Sequence, residues 1–258
     1  MFSIIRKNVR ATAIFSNMKR SYHSVGEAAG VQKGKHFANV SDKDLQVFEG
    51  ILGAKSVLTD ESELEVFNTD WQSRWIGRSK VALLPRSTEE VSELLKYCNE
   101  RKLAIVPQAG NTGQVGGSVP VFDEVILSVK KMNKILEFDD VNGILSAQAG
   151  CILEDMNEYV LERGFDIPYN IGSRGSCMLG GNLATNCGGS KVVRYKSLRS
   201  NTVGLEAVLA NGTILNDMST MRKDNSGYDI KQLLIGSEGT LGIITGAAIT
   251  CPVKPQER

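Results

Sequence analysis

The chain has 258 residues, of which 41% are hydrophobic, 23% charged and 6% aromatic, and its formal net charge is +1. This composition is typical of a globular protein and excludes disorder, a collagen-like chain and a disulfide scaffold. No run of about 18 apolar residues is available to span a membrane. The near-neutral charge gives no electrostatic reason to expect nucleic acid as a partner.

Histidine is scarce, because only His23 and His36 occur and both are near the N-terminus. A Ser-His-Asp triad or a multi-histidine metal site in the body of the domain is therefore excluded. Difficult chemistry has to come from a bound cofactor or from another polypeptide. The sequence contains no C-x-x-C pair, so its cysteines are predicted to be buried or half-buried thiols of a reducing compartment, namely Cys98, Cys151, Cys177, Cys187 and Cys251.

The N-terminal segment, residues 1–24, is basic and contains no acid. Ile5, Val9 and Ala13/Ile14 recur at helical spacing, with arginines on another face. This pattern predicts a mitochondrial transit peptide that directs the protein to the matrix, with cleavage near Tyr22. The alternative is a surface helix of the folded domain.

The next part of the chain predicts helices and strands that alternate. In chain order these are a helix from Ser41 to Leu52, a polar loop over 59–80, a strand over 81–84, a helix from Ser87 or Thr88 to Arg101, and a strand over 103–106 that ends at Pro107. Strand, helix and strand at this spacing predict a parallel crossover unit.

The second part predicts hairpins. We expect strands over 125–129, 135–138 and 144–147, a turn at 141–143, a helix over 153–162, a hairpin of 205–209 and 213–215 joined by Asn211-Gly212, and a final strand over 243–251. The predicted fold class is α+β, with a small parallel βαβ unit followed by a larger, mostly antiparallel sheet with helices.

Two segments are rich in glycine: residues 107–118 read PQAGNTGQVGGS and residues 172–189 read GSRGSCMLGGNLATNCGG. Glycine allows positive φ and close approach of the backbone to a ligand, and successive N–H groups in such turns bind phosphate oxygens. The alternative is a pair of ordinary tight turns. Neither a P-loop nor a G-x-G-x-x-G motif occurs, which disfavours a Rossmann site.

These two segments, together with RKDNSGYDIK (222–231) and LIGSEGTLGIIT (234–245), resemble the FAD-binding half of the flavin-dependent 2-hydroxyacid dehydrogenases. That half has the FAD-binding fold shared with vanillyl-alcohol oxidase. Within the family the sequence is most similar to D-2-hydroxyglutarate dehydrogenases and next to D-lactate dehydrogenases. The resemblance covers roughly 37–255 and implies a two-subdomain FAD-binding domain there.

The resemblance implies three groups of FAD-binding residues. The pyrophosphate would be held by Pro107, Gln108, Ala109, Gly110, Asn111, Thr112, Gly113, Gly117 and Ser118. The flavin and its ribityl chain would be lined by Gly172, Ser176, Gly180, Gly181, Thr185, Asn186, Gly188 and Gly189. The adenosine and the flavin edge would lie near Glu238, Gly242, Ile243 and Ile244.

Two details of the resemblance bear on the cofactor. Ala109 stands where relatives often have glycine, and its methyl group is tolerated at a negative φ. Covalent relatives attach flavin to a histidine near the first loop, whereas here Asn111 lies in that neighbourhood, so FAD is expected to bind non-covalently.

Near the second loop, Arg174, Lys191 and Arg194 could stabilise reduced flavin or be solvated surface charges.

Family members run to nearly twice this length, and their second half carries the substrate arginine, the metal ligands and the base. We therefore expect the flavin half of a D-2-hydroxyacid dehydrogenase with 2-hydroxyglutarate as the first choice of substrate, with an electron-transfer flavoprotein or a cytochrome as acceptor and no catalytic or metal residue of its own. The alternatives are an FAD module completed by a partner chain, a D-lactate dehydrogenase, and a flavin-free nucleotide-binding protein.

Overall fold

The computed structural model describes residues 32–255, and the predicted transit peptide lies outside them. The first subdomain contains α1 (Asp42–Leu52), β1 (Val57–Leu58), α2 (Glu61–Asn68), β2 (Ala82–Leu83), α3 (Thr88–Arg101), β3 (Ile105–Gln108) and β4 (Val125–Ser128). Its sheet has the order β1-β2-β4-β3, in which β2 and β3 both pair parallel to β4. The predicted parallel crossover is confirmed.

The second subdomain contains β5 (Ile135–Asp139), β6 (Ile144–Gln148), α4 (Leu153–Leu161), α5 (Leu179–Ala184), α6 (Val192–Tyr195), α7 (Leu198–Asn201), β7 (Thr202–Leu209), β8 (Ile214–Asp217), α8 (Lys231–Leu234) and β9 (Gly242–Thr250). All its strand pairs are antiparallel, in the order β5-β6-β9-β7-β8. Both predicted hairpins are present, and Gly212 has the positive φ of 84° that its turn requires.

The helix α3 has the local signals that the sequence predicts. The Ser87 hydroxyl accepts a hydrogen bond from the Glu90 N–H at 3.2 Å, which caps the first turn. The inner face of the helix is buried against the first sheet through Val91, Leu94, Leu95 and Cys98. The helix also contacts β7 of the second subdomain, so it fixes the two subdomains relative to each other.

The polar loop predicted over 59–80 is wrong in its first part, because Glu61–Asn68 is the helix α2. The Asp60 carboxylate caps this helix by accepting hydrogen bonds from the N–H groups of Ser62 and Glu63 at 2.9 and 3.3 Å. Leu64 and Phe67 are buried on its inner face. The sequence contains the capping residue, but only two apolar residues form the inner face of this helix, so the helical pattern was too weak to be predicted.

The strand predicted to end at Pro107 instead continues to Gln108. Proline is accommodated because β3 is an edge strand, where a missing N–H removes no hydrogen bond from the interior of the sheet. The extra residues carry the backbone directly into the first glycine-rich loop. Within residues 32–255, no helix has the length and apolar character needed to cross a bilayer.

Candidate functional site

A cleft of about 280 Å³ lies between the two subdomains and is lined by both glycine-rich segments. The segments are in direct contact, since a Cβ built on Gly110 would lie 2.3 Å from the Ser176 carbonyl oxygen. Such a distance excludes any side chain at position 110 without movement of the backbone. The predicted loops therefore form opposite walls of one site.

The first loop is held in place by side chains rather than by regular secondary structure. The buried Gln108 amide donates to the carbonyl oxygens of Phe67 and Ser118 at 2.9 and 2.8 Å. Asn111 has a φ of 49°, in the left-handed region that Asn tolerates better than most residues. Its amide donates to the Thr69 carbonyl at 2.7 Å, and its oxygen accepts from the Ser118 hydroxyl at 2.7 Å.

The main-chain N–H groups of this loop are available to a ligand. Among the described residues, those of Gly110, Thr112 and Gly113 donate to no protein acceptor. Among residues 32–255, the cleft lining contains no lysine or arginine, and its one charged side chain is Glu238. Main-chain dipoles, and not cations, are therefore the groups that this wall offers to an anion.

Two glycines of the first loop have free space around them, and they indicate whether a dinucleotide fits the cleft. A Cβ built on Gly113 would meet no atom within 4 Å, and one on Gly117 would meet only a Glu238 carboxylate oxygen at 3.7 Å. Neither glycine has a positive φ. Packing within the protein therefore does not require glycine at these positions, although a ligand whose diphosphate contacts the backbone would require it. The residues present fit a dinucleotide such as FAD.

The second glycine-rich segment is not entirely made of turns, because residues 179–184 form the helix α5. Two of its glycines allow close packing. Cβ atoms built on Gly180 and Gly181 would lie 2.7 Å and 3.0 Å from the Cβ atoms of Ala149 and Ala109, respectively. Because Gly181 has no side chain, there is room for the methyl group of Ala109.

The third wall comes from the turn before β9. Glu238 and Gly239 both have positive φ, 51° and 77°. The Glu238 N–H donates to the Ala184 carbonyl at 2.9 Å, which ties this turn to α5. A Cβ on Gly239 would lie 3.0 Å from Cγ of Pro107. Three of the four sequence blocks that carried the resemblance are thus in mutual contact, and the fourth, 222–231, lies outside the cleft lining.

The cleft brings most of the predicted cofactor residues together. Those that line it are Pro107, Gln108, Ala109, Gly110, Asn111, Thr112, Gly113, Gly117, Ser118, Gly180, Gly181, Thr185, Glu238, Gly242, Ile243 and Ile244. The predicted residues outside the lining are Gly172, Ser176, Asn186, Gly188 and Gly189. Two of these have other roles: the Asn186 side chain accepts from the Arg199 N–H, and Gly189 packs against the Asn170 carbonyl.

Several lining residues were not predicted, namely Val115, Val129, Ile171, Ser173, Met178, Asn182, Ala184, Cys187 and Gly239. Most lie within or beside the glycine-rich segments, and no sequence pattern marked them individually as residues of the site. Val129 follows β4 and is brought to the cleft only by the packing of the fold.

Cys187 is half-buried, and burial raises the pKa of its thiol. The other four cysteines are buried, so the predicted burial of the thiols is confirmed.

The three cations near the second loop, for which both flavin stabilisation and solvated surface charge were open, do not line the cleft. Arg174, Lys191 and Arg194 instead line a second cavity, in which two of them form ion pairs with acids.

In the described part of the chain the one histidine, His36, also lies outside the cleft lining and stacks on Phe37. No group of three or more His, Cys, Asp or Glu side chains among residues 32–255 is arranged to hold a metal.

Comparisons with known proteins agree with this geometry. A family model described as an FAD binding domain matches residues 79–217. Two solved structures share the fold: an alkyldihydroxyacetonephosphate synthase (TM-score 0.74, 22% identity, 87% of this chain and 42% of that one) and p-cresol methylhydroxylase (TM-score 0.69, 23% identity, 84% and 44%).

Three curated relatives are more similar in sequence. A mitochondrial D-2-hydroxyglutarate dehydrogenase of Bos taurus is 57% identical over 85% of this chain and 40% of its own length. A putative mitochondrial D-lactate dehydrogenase of Schizosaccharomyces pombe is 48% identical over 85% and 43%. A D-2-hydroxyglutarate–pyruvate transhydrogenase of Saccharomyces cerevisiae is 44% identical over 88% and 46%. The chain thus spans less than half the length of these relatives.

Proposed function

The chain belongs to the FAD-binding domain family, and on that premise we propose that it is the flavin-binding part of an oxidoreductase that oxidises a D-2-hydroxy acid. D-2-hydroxyglutarate, converted to 2-oxoglutarate, is the first choice of substrate. The observation that carries the proposal is the cleft in which both glycine-rich segments and the Glu238 turn meet around unpaired main-chain N–H groups. When bound, FAD supplies the acceptor for a hydride.

The residues of this chain would bind and orient the cofactor without covalent attachment. The N–H groups of Gly110, Thr112 and Gly113 would hold the diphosphate. Asn111 and Ser118 would keep that loop in its left-handed turn. The Glu238 carboxylate, which faces Gly117 across the cleft, would accept hydrogen bonds from sugar hydroxyl groups.

The proton of the substrate hydroxyl needs a base that this part of the protein does not offer. No histidine among residues 32–255 lines the cleft, and its one carboxylate belongs to the cofactor-facing turn. We therefore infer that the base and the substrate contacts come from the remaining length that the relatives possess, or from a partner chain. An electron-transfer flavoprotein would then reoxidise the flavin. The name of the Saccharomyces relative supports a second candidate acceptor, a 2-oxo acid such as pyruvate.

The flavin role can be tested with a chimera that carries residues 32–255 in place of the matching part of the Bos taurus relative. The bovine remainder supplies the substrate contacts and the grafted part supplies the hydride acceptor, so we expect D-2-hydroxyglutarate to bleach the flavin of the chimera under anaerobic conditions. The unmodified bovine protein is the control. A chimera that binds no flavin, or whose flavin is not bleached, would contradict the proposal.

We also propose a mitochondrial location, in the matrix. The supporting observations are the acid-free basic segment 1–24 and the word mitochondrial in the names of relatives. Residues 1–30 fused to a fluorescent reporter are expected to direct it to mitochondria. The same fusion with Arg6 and Arg10 changed to Glu is expected to stay diffuse, because a transit peptide depends on its positive face. A diffuse signal from the unchanged fusion contradicts the proposal.

A further inference from the structure

A second cavity of about 440 Å³ lies next to the cofactor cleft but is separate from it. The backbone at residues 170–174 divides the two spaces. Ile171 and Ser173 line the cleft, whereas Asn170 and Arg174 line the second cavity. Its far wall is a face of α4 that carries Glu154 and Asn157. Its size is within the range of small-molecule sites in proteins.

The acids of this cavity already have partners. The Asp166 carboxylate, with a side chain only 5% exposed, accepts from the Lys191 ammonium at 2.7 Å. The Glu154 carboxylate accepts from Nε of Arg174 at 2.6 Å. Both carboxylates are thus paired with cations of the same lining.

The polar groups of this cavity that can still form hydrogen bonds with a ligand are donors. Lys191 uses two of its three N–H bonds, on Asp166 and on the Ile167 carbonyl. The Arg174 side chain, which pairs with Glu154 through Nε, is 57% exposed. Arg194 has no acidic partner among residues 32–255 and lies 5.3 Å from the centroid of the Tyr195 ring. Among residues 32–255, three cations against two paired acids leave this lining with one net positive charge.

We propose that this cavity binds a small organic dianion, with Arg174 and Arg194 as its main donors. A guanidinium group matches the two oxygens of a carboxylate or phosphate, and a ring beneath Arg194 holds it in position. Asn157 and Tyr195, which also line the space, add neutral polar groups for the rest of the ligand. Binding here does not require FAD, so the site is independent of the proposed oxidoreductase function.

The test is isothermal titration of the 258-residue chain with succinate and, separately, with inorganic phosphate. We expect the preferred anion to bind, and Arg194→Gln to weaken it by about ten-fold or more, because a charge-assisted pair is lost. The matched control is Arg163→Gln, since Arg163 also lies over a tyrosine ring, at 3.7 Å, but does not line the cavity. Unchanged thermal unfolding of each variant without anion shows that its fold is intact.

The two anions distinguish the headgroup. Tighter binding of succinate assigns the site to carboxylates, and tighter binding of phosphate assigns it to phosphate esters. The proposal is overturned if neither anion binds the unchanged chain, or if Arg194→Gln binds as the unchanged chain does. Arg174→Gln is the second variant, and an undiminished affinity in both variants would place any bound anion elsewhere.

Discussion

Replacing Gly113 by leucine is expected to weaken FAD binding by at least about a hundred-fold, or about 2.7 kcal/mol, while the protein stays folded. The position is exposed, has no positive φ and has open space around the built Cβ. A leucine there should change the free energy of unfolding by no more than about 0.5 kcal/mol. It would, however, project into the cleft beside the N–H groups that we assign to the diphosphate. Quenching of FAD fluorescence measures the affinity.

Gly175→Leu is the matched control for that variant. Gly175 is also an exposed loop glycine with nothing within 4 Å of its built Cβ, but it lies outside the cleft lining. We expect it to bind FAD as the unchanged chain does. If both variants bind FAD normally, the diphosphate does not contact the first loop and the assignment of that loop is wrong.

Replacing Asp44 by alanine is expected to cost about 3 kcal/mol of stability, measured by urea unfolding. Asp44 is completely buried and accepts hydrogen bonds from Tyr97 at 2.7 Å, from Nε of Arg101 at 2.8 Å and from the Ser41 N–H at 2.8 Å. Its loss would leave these donors unpaired and release α1 from the end of α3. Asp42→Ala, an exposed acid in the same first turn, should cost no more than about 0.5 kcal/mol.

The same carboxylate predicts how stability depends on pH. The hydrogen bond from Arg101, followed by those from Ser41 and Tyr97, holds the pKa of Asp44 well below its ordinary value. A lowered pKa contributes stability above the unfolded value of about 3.9, and that contribution is lost as the pH falls below it. The stability difference between the unchanged chain and Asp44→Ala should therefore be constant from about pH 7 to pH 5 and shrink below about pH 4. A difference that is small at neutral pH would contradict this account.

The sequence predicted those elements whose signals are local. The helix α3 combines a serine cap with a continuous apolar face, and the last hairpin is marked by Asn211-Gly212. The short helix α5 was not predicted, because two of its six residues are adjacent glycines, which have low helix propensity. It is held by tertiary packing of Leu179 and Leu183, which are completely buried.

The site was predictable to the extent that glycine marks it. Glycine at 110 is required by contact with the second loop, and that requirement is visible in the sequence as a surplus of glycine. Residues that reach the cleft from elsewhere, such as Val129, have no local pattern that distinguishes them from the core. The charges of Arg174 and Arg194 were visible in the sequence as well, but the side of the loop on which they lie depends on the direction of the backbone. The fold places both in the second cavity and not in the cleft.

The central claim is that main-chain N–H groups in the first glycine loop hold the diphosphate of FAD. The most direct measurement is a parallel titration of the purified chain with FAD, with riboflavin and with adenosine, since the last two carry the two ends of FAD without its diphosphate. The account predicts that FAD binds at least about a hundred-fold more tightly than either of them. An affinity for FAD no higher than that for riboflavin or adenosine, or no binding of FAD, would contradict it.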